Sequence, residues 1–149
     1  MLSNISVIVT GELFDEDGNL KQKFVKHNLI TNAGYDFLAS CFGSYTRPAP
    51  MRYIAVGTGV TIPSLTDIAL NSEIARKETT FDYATGNTFL TIGITLLPGE
   101  GVGALTEAGI INSDNVLFDR VTFPVINKGD LDTYVLSFNL YFTELEDSE

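Results

Sequence analysis

The sequence has little of what enzymes and secreted scaffolds depend on. Its 149 residues include one cysteine, one histidine and no tryptophan. The single cysteine, Cys41, excludes a disulfide within the chain, so the sequence is not typical of a disulfide-dense secreted domain. The N-terminal residues alternate apolar with polar side chains and lack the basic start of a signal peptide, and we therefore expect synthesis in a reducing cytoplasm without export.

Basic residues and long apolar runs are also scarce. Nine lysine and arginine residues stand against 19 acidic ones, which gives a formal net charge of −10 and opposes attraction to nucleic acid and to anionic lipid. No apolar stretch approaches the roughly 18–20 residues of a membrane-spanning helix. We therefore expect neither nucleic acid nor a membrane as a partner. Residues 144–149 include four acids and are predicted to be a solvated acidic tail.

The scarcity of suitable titratable groups argues against catalysis. His27 lies in a predicted strand and Cys41 on the apolar side of a predicted helix, and we interpret both as structural. Residues 57–64, GTGVTIPS, lack the third glycine of a dinucleotide site. Residues 15–19, DEDGN, are interpreted as a hairpin turn because the glycine comes too early for a calcium loop. We predict no enzymatic activity, no catalytic or metal-binding residue and no cofactor, and we do not expect a small-molecule ligand.

Strict alternation of apolar and polar residues is the dominant pattern in the sequence. Tyr134, Leu136, Phe138 and Leu140 share one face of a predicted strand near the C-terminus, and residues 89–97 repeat the pattern. The one convincing helix begins after Thr31, a plausible N-cap, and ends at a glycine. About eight strands and one short helix predict a single all-β domain over residues 1–149, an antiparallel, jelly-roll-like β-sandwich.

Four charged residues lie where strands would bury them. An unpaired charge within a buried strand costs several kcal/mol, so these charges must pair or face solvent. We expect an arginine of this set to pair with a glutamate of the same set and to fix the register of neighbouring strands. The candidate structural ion-pair residues are Glu73, Arg76, Glu107 and Arg120.

Two long loops and one strand face contain residue types that often anchor protein interfaces. The loops are residues 41–52, CFGSYTRPAPMR, and residues 96–107, LLPGEGVGALTE; an ordinary surface role for them remains the alternative. The outer face of the last predicted strand mixes apolar with polar side chains, so we expect it either to be partly solvated or to contact another copy of the chain. The candidate interface residues are Tyr45, Arg47, Met51, Arg52, Val135 and Tyr141.

Several segments together resemble a known group of proteins. In order they are NLITNAGYDFLAS, YIAVGTG, LNSEIAR and LTEAGIINSDNVLFDRVTFPVINKGDLDTYVLSFNLYF. Their order and spacing resemble those of small structural proteins of tailed bacteriophages, of the tail-fibre, collar and baseplate-associated kind. The resemblance covers most of residues 24–143 and brings no catalytic residues with it.

The resemblance implies a part of the virus particle that works by binding. We expect a homo-oligomer that contacts other virion proteins in the tail, neck or baseplate, or a fibre attachment module, after synthesis in the cytoplasm of a host bacterium. A decoration protein on the capsid surface is an alternative. A carbohydrate-binding module that recognises a host surface is an alternative of another class.

Overall fold

The computed structural model describes residues 5–142, so the predicted acidic tail at residues 144–149 lies outside the described residues. The described chain forms ten strands and one helix, and the predicted all-β sandwich is confirmed. The elements are β1 (Ser6–Phe14), β2 (Leu20–His27), β3 (Leu29–Ile30), α1 (Asn32–Gly43), β4 (Tyr53–Gly57), β5 (Glu73–Glu78), β6 (Thr80–Asp82), β7 (Phe89–Leu96), β8 (Gly103–Ile111), β9 (Asp119–Lys128) and β10 (Thr133–Tyr141).

The strands make two five-stranded antiparallel sheets. The first sheet has the order β2-β1-β10-β7-β6, and the second has the order β3-β9-β8-β4-β5. The hairpins β1–β2, β4–β5, β6–β7 and β8–β9 each stay within one sheet, and the chain changes sheet between them. The count is ten strands instead of about eight because β3 and β6 are too short to show a period of two.

The core lies between the sheets and follows the alternation of the sequence. Tyr134, Leu136 and Phe138 of β10 are fully buried, and so are Val9 and Leu13 of β1, which pairs with β10. Burying one such side chain stabilises the fold by about 1.5–3 kcal/mol. The sheets therefore hold together mainly through the faces that the period of two predicts.

Helix α1 begins and ends where the sequence predicts. The Thr31 side chain accepts a hydrogen bond from the Gly34 N–H at 2.9 Å and donates one to the Leu117 carbonyl at 2.7 Å, so the N-cap also ties the helix to the second sheet. Gly34 lies so close to the Phe118 carbonyl that a Cβ would collide with it. The helix thus packs against the segment before β9 at backbone distance.

One side of the sandwich is closed by side chains instead of strand pairing. The Gln22 amide of β2 donates to the Val125 carbonyl and accepts from the Asn127 N–H, both at 2.9 Å, so it occupies the place of a strand beside β9. The Phe24 and Phe123 rings stack with centroids 4.4 Å apart in the same gap. The two sheets are therefore joined along this side.

The pairing of β8 with β9 is interrupted in the middle. The register shifts between Leu105 and Glu107, opposite the part of β9 that contains Pro124. Proline has no N–H to donate to the ladder and is tolerated in strands at such irregular places. Leu105 belongs to the core between the sheets, whereas Glu107 contacts the loop that joins β4 to β5.

Candidate interaction site

A buried ion pair lies on the second sheet. Arg120 of β9 donates from Nε to Glu107 Oε1 of β8 at 2.9 Å, and the two residues are 1% and 0% exposed. Taking two charges out of water is expensive unless their remaining donors and acceptors are also satisfied. The other hydrogen bonds of Glu107 and Arg120 therefore show which part of the chain the ion pair holds in place.

The Glu107 carboxylate binds both ends of the loop between β4 and β5. It accepts hydrogen bonds from the backbone N–H groups of Gly59 at 2.7 Å, Asn71 at 2.9 Å and Ser72 at 2.8 Å. The Thr106 hydroxyl donates to the Gly59 carbonyl at 2.7 Å from the neighbouring position. We call residues 58–72 the anchored loop.

Arg120 holds the second half of the anchored loop. Its Nη2 donates to Asn71 Oδ1 at 2.7 Å and its Nη1 to Asp67 Oδ2 at 3.2 Å. The same Asp67 oxygen accepts from the Ser64 N–H at 2.9 Å, and the Leu65 carbonyl accepts from the Asn32 N–H at 2.8 Å. The loop is thus fixed to two strands and to the start of α1.

The hydrogen bonds around Glu107 keep it charged. Burial by itself raises the pKa of this carboxyl, but the Asn71 N–H, the Arg120 guanidinium and the remaining backbone donors outweigh burial, and the pKa lies below the ordinary value of 4.5. A lowered pKa in the folded state contributes stability above the pKa of the unfolded chain. This contribution is lost as the pH falls from about 4.5 through the lowered pKa of the folded state.

Glycine is required where the anchored loop meets this carboxylate. A Cβ on Gly59 would collide with Glu107 and with the Asn71 side chain. We expect Gly59→Ala to lower the free energy of unfolding by about 1–3 kcal/mol, because the closely packed loop would have to shift. Thermal or urea unfolding measures the change.

The matched control is Gly43→Ala, at a position where a Cβ would meet nothing. It replaces glycine by a better helix former in the last turn of α1, so we expect no loss of stability. An equal loss in both variants would contradict the packing argument.

The anchored loop holds aliphatic side chains out in solvent. Val60 is 78% exposed, Ile62 82% and Ile68 76%, while Leu65 is 47% exposed. On its inner side, Leu70 is buried in a small cluster that includes Ala55, Ile111 and Leu117. Four exposed aliphatic side chains on one fixed loop make the anchored loop the candidate interaction surface.

The remaining predicted ion-pair residues lie at the edge of the second sheet. Arg76 of β5 binds Glu73 through two hydrogen bonds of 2.9 Å, and its Nη1 donates to Asn115 Oδ1 at 2.7 Å. The hydrogen bond with Glu73 raises the pKa of Arg76. This pair is partly exposed and separate from Glu107 and Arg120, so the four predicted residues form two pairs instead of one cluster.

Two further charged residues of β9 are buried. Asp119 is fully buried and accepts a hydrogen bond from the Ile110 N–H at 2.7 Å, and burial raises its pKa to about 8. Lys128 is 2% exposed and donates to the Leu97 carbonyl at 3.0 Å, and burial lowers its pKa. Asp119 therefore ties β9 to β8, whereas Lys128 ties β9 to the loop after β7.

The predicted interface residues are divided between surface and core. Tyr45 is fully exposed, and Val135 and Tyr141 are half-buried on the outer face of β10, where Tyr141 lies against Phe89. Met51 is 8% exposed and belongs to the core. Its prediction as a surface contact is wrong, because the apolar side chain turns inward ahead of β4.

The other two predicted interface residues, Arg47 and Arg52, border a cavity that we call the end cavity. It has a volume of about 590 Å³ and lies between the sheets beside the second half of α1. Sequence reasoning missed this cavity and did not single out the anchored loop as a candidate interaction site. The loop left a signal in VTIPSLTDIAL, residues 60–70, where aliphatic residues recur without the period of a strand.

Comparison with known proteins gave no match among family models, curated proteins or solved structures. Within residues 5–142, no group of three or more histidine, cysteine, aspartate or glutamate side chains is placed to hold a metal ion. No helix in that range is both long and apolar enough to cross a bilayer.

Proposed function

We propose that the protein is a non-enzymatic structural component of a tailed-phage particle that works through protein–protein contacts. The observation that carries the proposal is the anchored loop, whose exposed aliphatic side chains are held in place by the buried Glu107–Arg120 pair. The resemblance of residues 24–143 to tail-fibre, collar and baseplate-associated proteins supports the tail, neck or baseplate, or a fibre attachment point, as its place in the particle.

The energetics of the anchored loop favour a binding role. Ile62 and Ile68 would each contribute about 1.5–3 kcal/mol if a partner buried them fully. When a flexible loop binds, part of that favourable free energy is offset by the conformational entropy that the loop loses. A loop that is already fixed by hydrogen bonds loses much less entropy. The hydrogen bonds of Glu107 and Arg120 therefore prepare the surface for contact before any partner arrives.

The partners that we propose are further copies of this chain and other proteins of the particle. The anchored loop carries one charged residue, Asp67, which already binds Arg120. The other 18 of the 19 acidic residues therefore lie outside the anchored loop. Closed symmetric assemblies are the common outcome for such parts.

Replacing Ile62 and Ile68 together by Glu tests the proposal. We expect the native protein to be oligomeric, or to bind another particle protein, and the double variant to lose that association by at least about a hundredfold, since two central apolar contacts are replaced by charges. Light scattering after size-exclusion chromatography measures the mass, and pull-down from disrupted particles measures binding.

Val25→Glu is the matched control. Val25 is a 60% exposed aliphatic residue on β2, outside the anchored loop, and the change should leave association intact. Both variants alter exposed side chains, so their unfolding temperatures should stay close to that of the native protein. A native protein that is strictly monomeric and binds no other particle protein would count against the proposed function.

A further inference from the structure

The end cavity has the size and lining of a site for an apolar ligand. Its volume of about 590 Å³ lies within the range of roughly 300–1,000 Å³ that is common for ligand sites. Apolar side chains enter from both sheets and from α1, among them Leu90, Leu140, Ile110 and Phe37. The walls therefore match hydrocarbon better than a polar molecule.

Among residues 5–142, the charged groups that line the end cavity are both basic. They are Arg47 and Arg52, and no acidic residue of that range belongs to the lining. Arg47 donates from Nη1 to the Cys41 carbonyl at 3.3 Å. Arg52 forms an exposed ion pair with Glu78 at 3.5 Å, and pairs of that kind contribute little and exchange partners readily. Two guanidinium groups are thus available to a negatively charged group at the cavity.

We propose that the end cavity binds a single-chain anionic amphiphile, such as an alkyl carboxylate or alkyl phosphate. The alkyl chain lies among the apolar side chains, and the headgroup lies between Arg47 and Arg52. Guanidinium groups bind carboxylate and phosphate through short, charge-assisted hydrogen bonds. The site shares no residue with the anchored loop, so this inference is independent of the proposed function. This inference departs from the sequence-based expectation of no small-molecule ligand, because the cavity is built from segments that are separate in the sequence.

The only cysteine of the chain gives a direct measure of occupancy. Cys41 lines the end cavity and is half-buried. A ligand in the cavity should slow the reaction of this thiol with a maleimide, and the rate should fall in proportion to the unoccupied fraction. At a ligand concentration ten times Kd, we expect the rate to fall by about tenfold.

Ligands with the same alkyl chain but different headgroup charge separate binding of the alkyl chain from binding of the anionic headgroup. Dodecanoate and dodecyltrimethylammonium are added to the full-length protein below their micelle concentrations, and dodecanol is added below its solubility limit. We expect dodecanoate to protect Cys41 at the lowest concentration and the cation at the highest. Shortening the carboxylate by one methylene should weaken protection about fourfold, as expected for burial of the chain.

Variants at the cavity test the role of the two arginines. Arg47→Gln combined with Arg52→Gln should weaken protection by dodecanoate about tenfold and leave protection by dodecanol unchanged. The matched control is Lys23→Gln, which removes an exposed basic group of β2 and should change neither. Both arginines are exposed, so the double variant should fold.

Three results would overturn the inference. The first is no protection of Cys41 by any amphiphile, or equal protection by the anion and the cation. The second is a labelling rate that falls only as the protein concentration rises, which would assign the cavity to another copy of the chain. The third is protection by vesicles of anionic phospholipid but not by free dodecanoate, which would assign it to a bilayer surface.

Discussion

Replacing Arg120 by Met is expected to lower the free energy of unfolding by about 3–5 kcal/mol. Met has a similar length and fits an apolar surrounding, but it leaves the Glu107 carboxylate buried without its counter-charge. It also removes the donors to Asp67 and Asn71. Urea unfolding measures the loss, and hydrogen exchange at the Gly59, Asn71 and Ser72 amides shows whether the anchored loop detaches.

A double-mutant cycle with Glu107→Gln separates the pair from its surroundings. Each single change leaves a buried group without its partner, so we expect the double variant to lose clearly less stability than the sum of the two single losses. Arg76→Met is the matched control, because Arg76 makes a partly exposed pair with Glu73 and should cost about 1 kcal/mol or less. Losses of similar size at Arg76 and Arg120 would contradict a special role for the buried pair.

The second large effect is a fall in stability with rising pH that depends on Asp119. Its carboxyl has a pKa of about 8 in the folded chain, against an ordinary value of 3.8. Burial is the main cause, and the hydrogen bond from the Ile110 N–H offsets it only in part; the Asn28 amide also favours the charged form, but its geometry is too poor for a hydrogen bond. Asp119 Oδ2 and Asn28 Nδ2 make no hydrogen bond to any described residue, so the charged form is poorly satisfied.

The direction of this change in stability with pH follows from proton binding. Between about pH 4 and pH 8 the folded chain keeps a proton on Asp119 that the unfolded chain has lost. The stabilisation is complete below about pH 4 and is lost as the pH rises to about 8, with a slope of up to about 1.4 kcal/mol per pH unit. Glu107 acts in the opposite direction and below about pH 4.5, so the two effects occupy different parts of the pH scale.

Asp119→Asn isolates this effect. The amide resembles a neutral carboxyl in shape and keeps an acceptor for the Ile110 N–H. The free energy of unfolding should therefore fall less steeply between pH 5 and pH 8 in the variant than in the native protein. The stability of the variant relative to the native protein should increase as the pH rises. Urea unfolding at a series of pH values measures both. Asp114→Asn removes an exposed carboxyl and should leave the slope unchanged. Parallel curves for native protein and Asp119→Asn would exclude the assignment.

The sequence predicted the parts of the fold that depend on local periodicity and capping. The inward faces of β1, β7 and β10 follow from alternation, and the start of α1 follows from Thr31. Local patterns do not show whether residues distant in the sequence will cover a given apolar side chain. Phe42 has the apolar spacing of a buried helix position, yet it is 96% exposed.

The candidate site was harder to predict because its contacts are distant in sequence. Charges within apolar strands indicated that Glu107 and Arg120 needed partners, and the structure pairs them. The sequence did not show that Glu107 would bind Gly59 and Asn71, which are 48 and 36 residues away. Such contacts depend on the shift in register between β8 and β9, which follows from the fold and not from a local pattern.

The Gln22 amide beside β9 has a consequence for copies of this protein held at high local concentration. Unpaired backbone groups at the border of a sheet are templates for further strands, and fibrous aggregation begins at such borders. Gln22 occupies the free groups of Val125 and Asn127, so a neighbouring chain finds no template there. Strand addition at this border would first have to break both hydrogen bonds of the Gln22 amide.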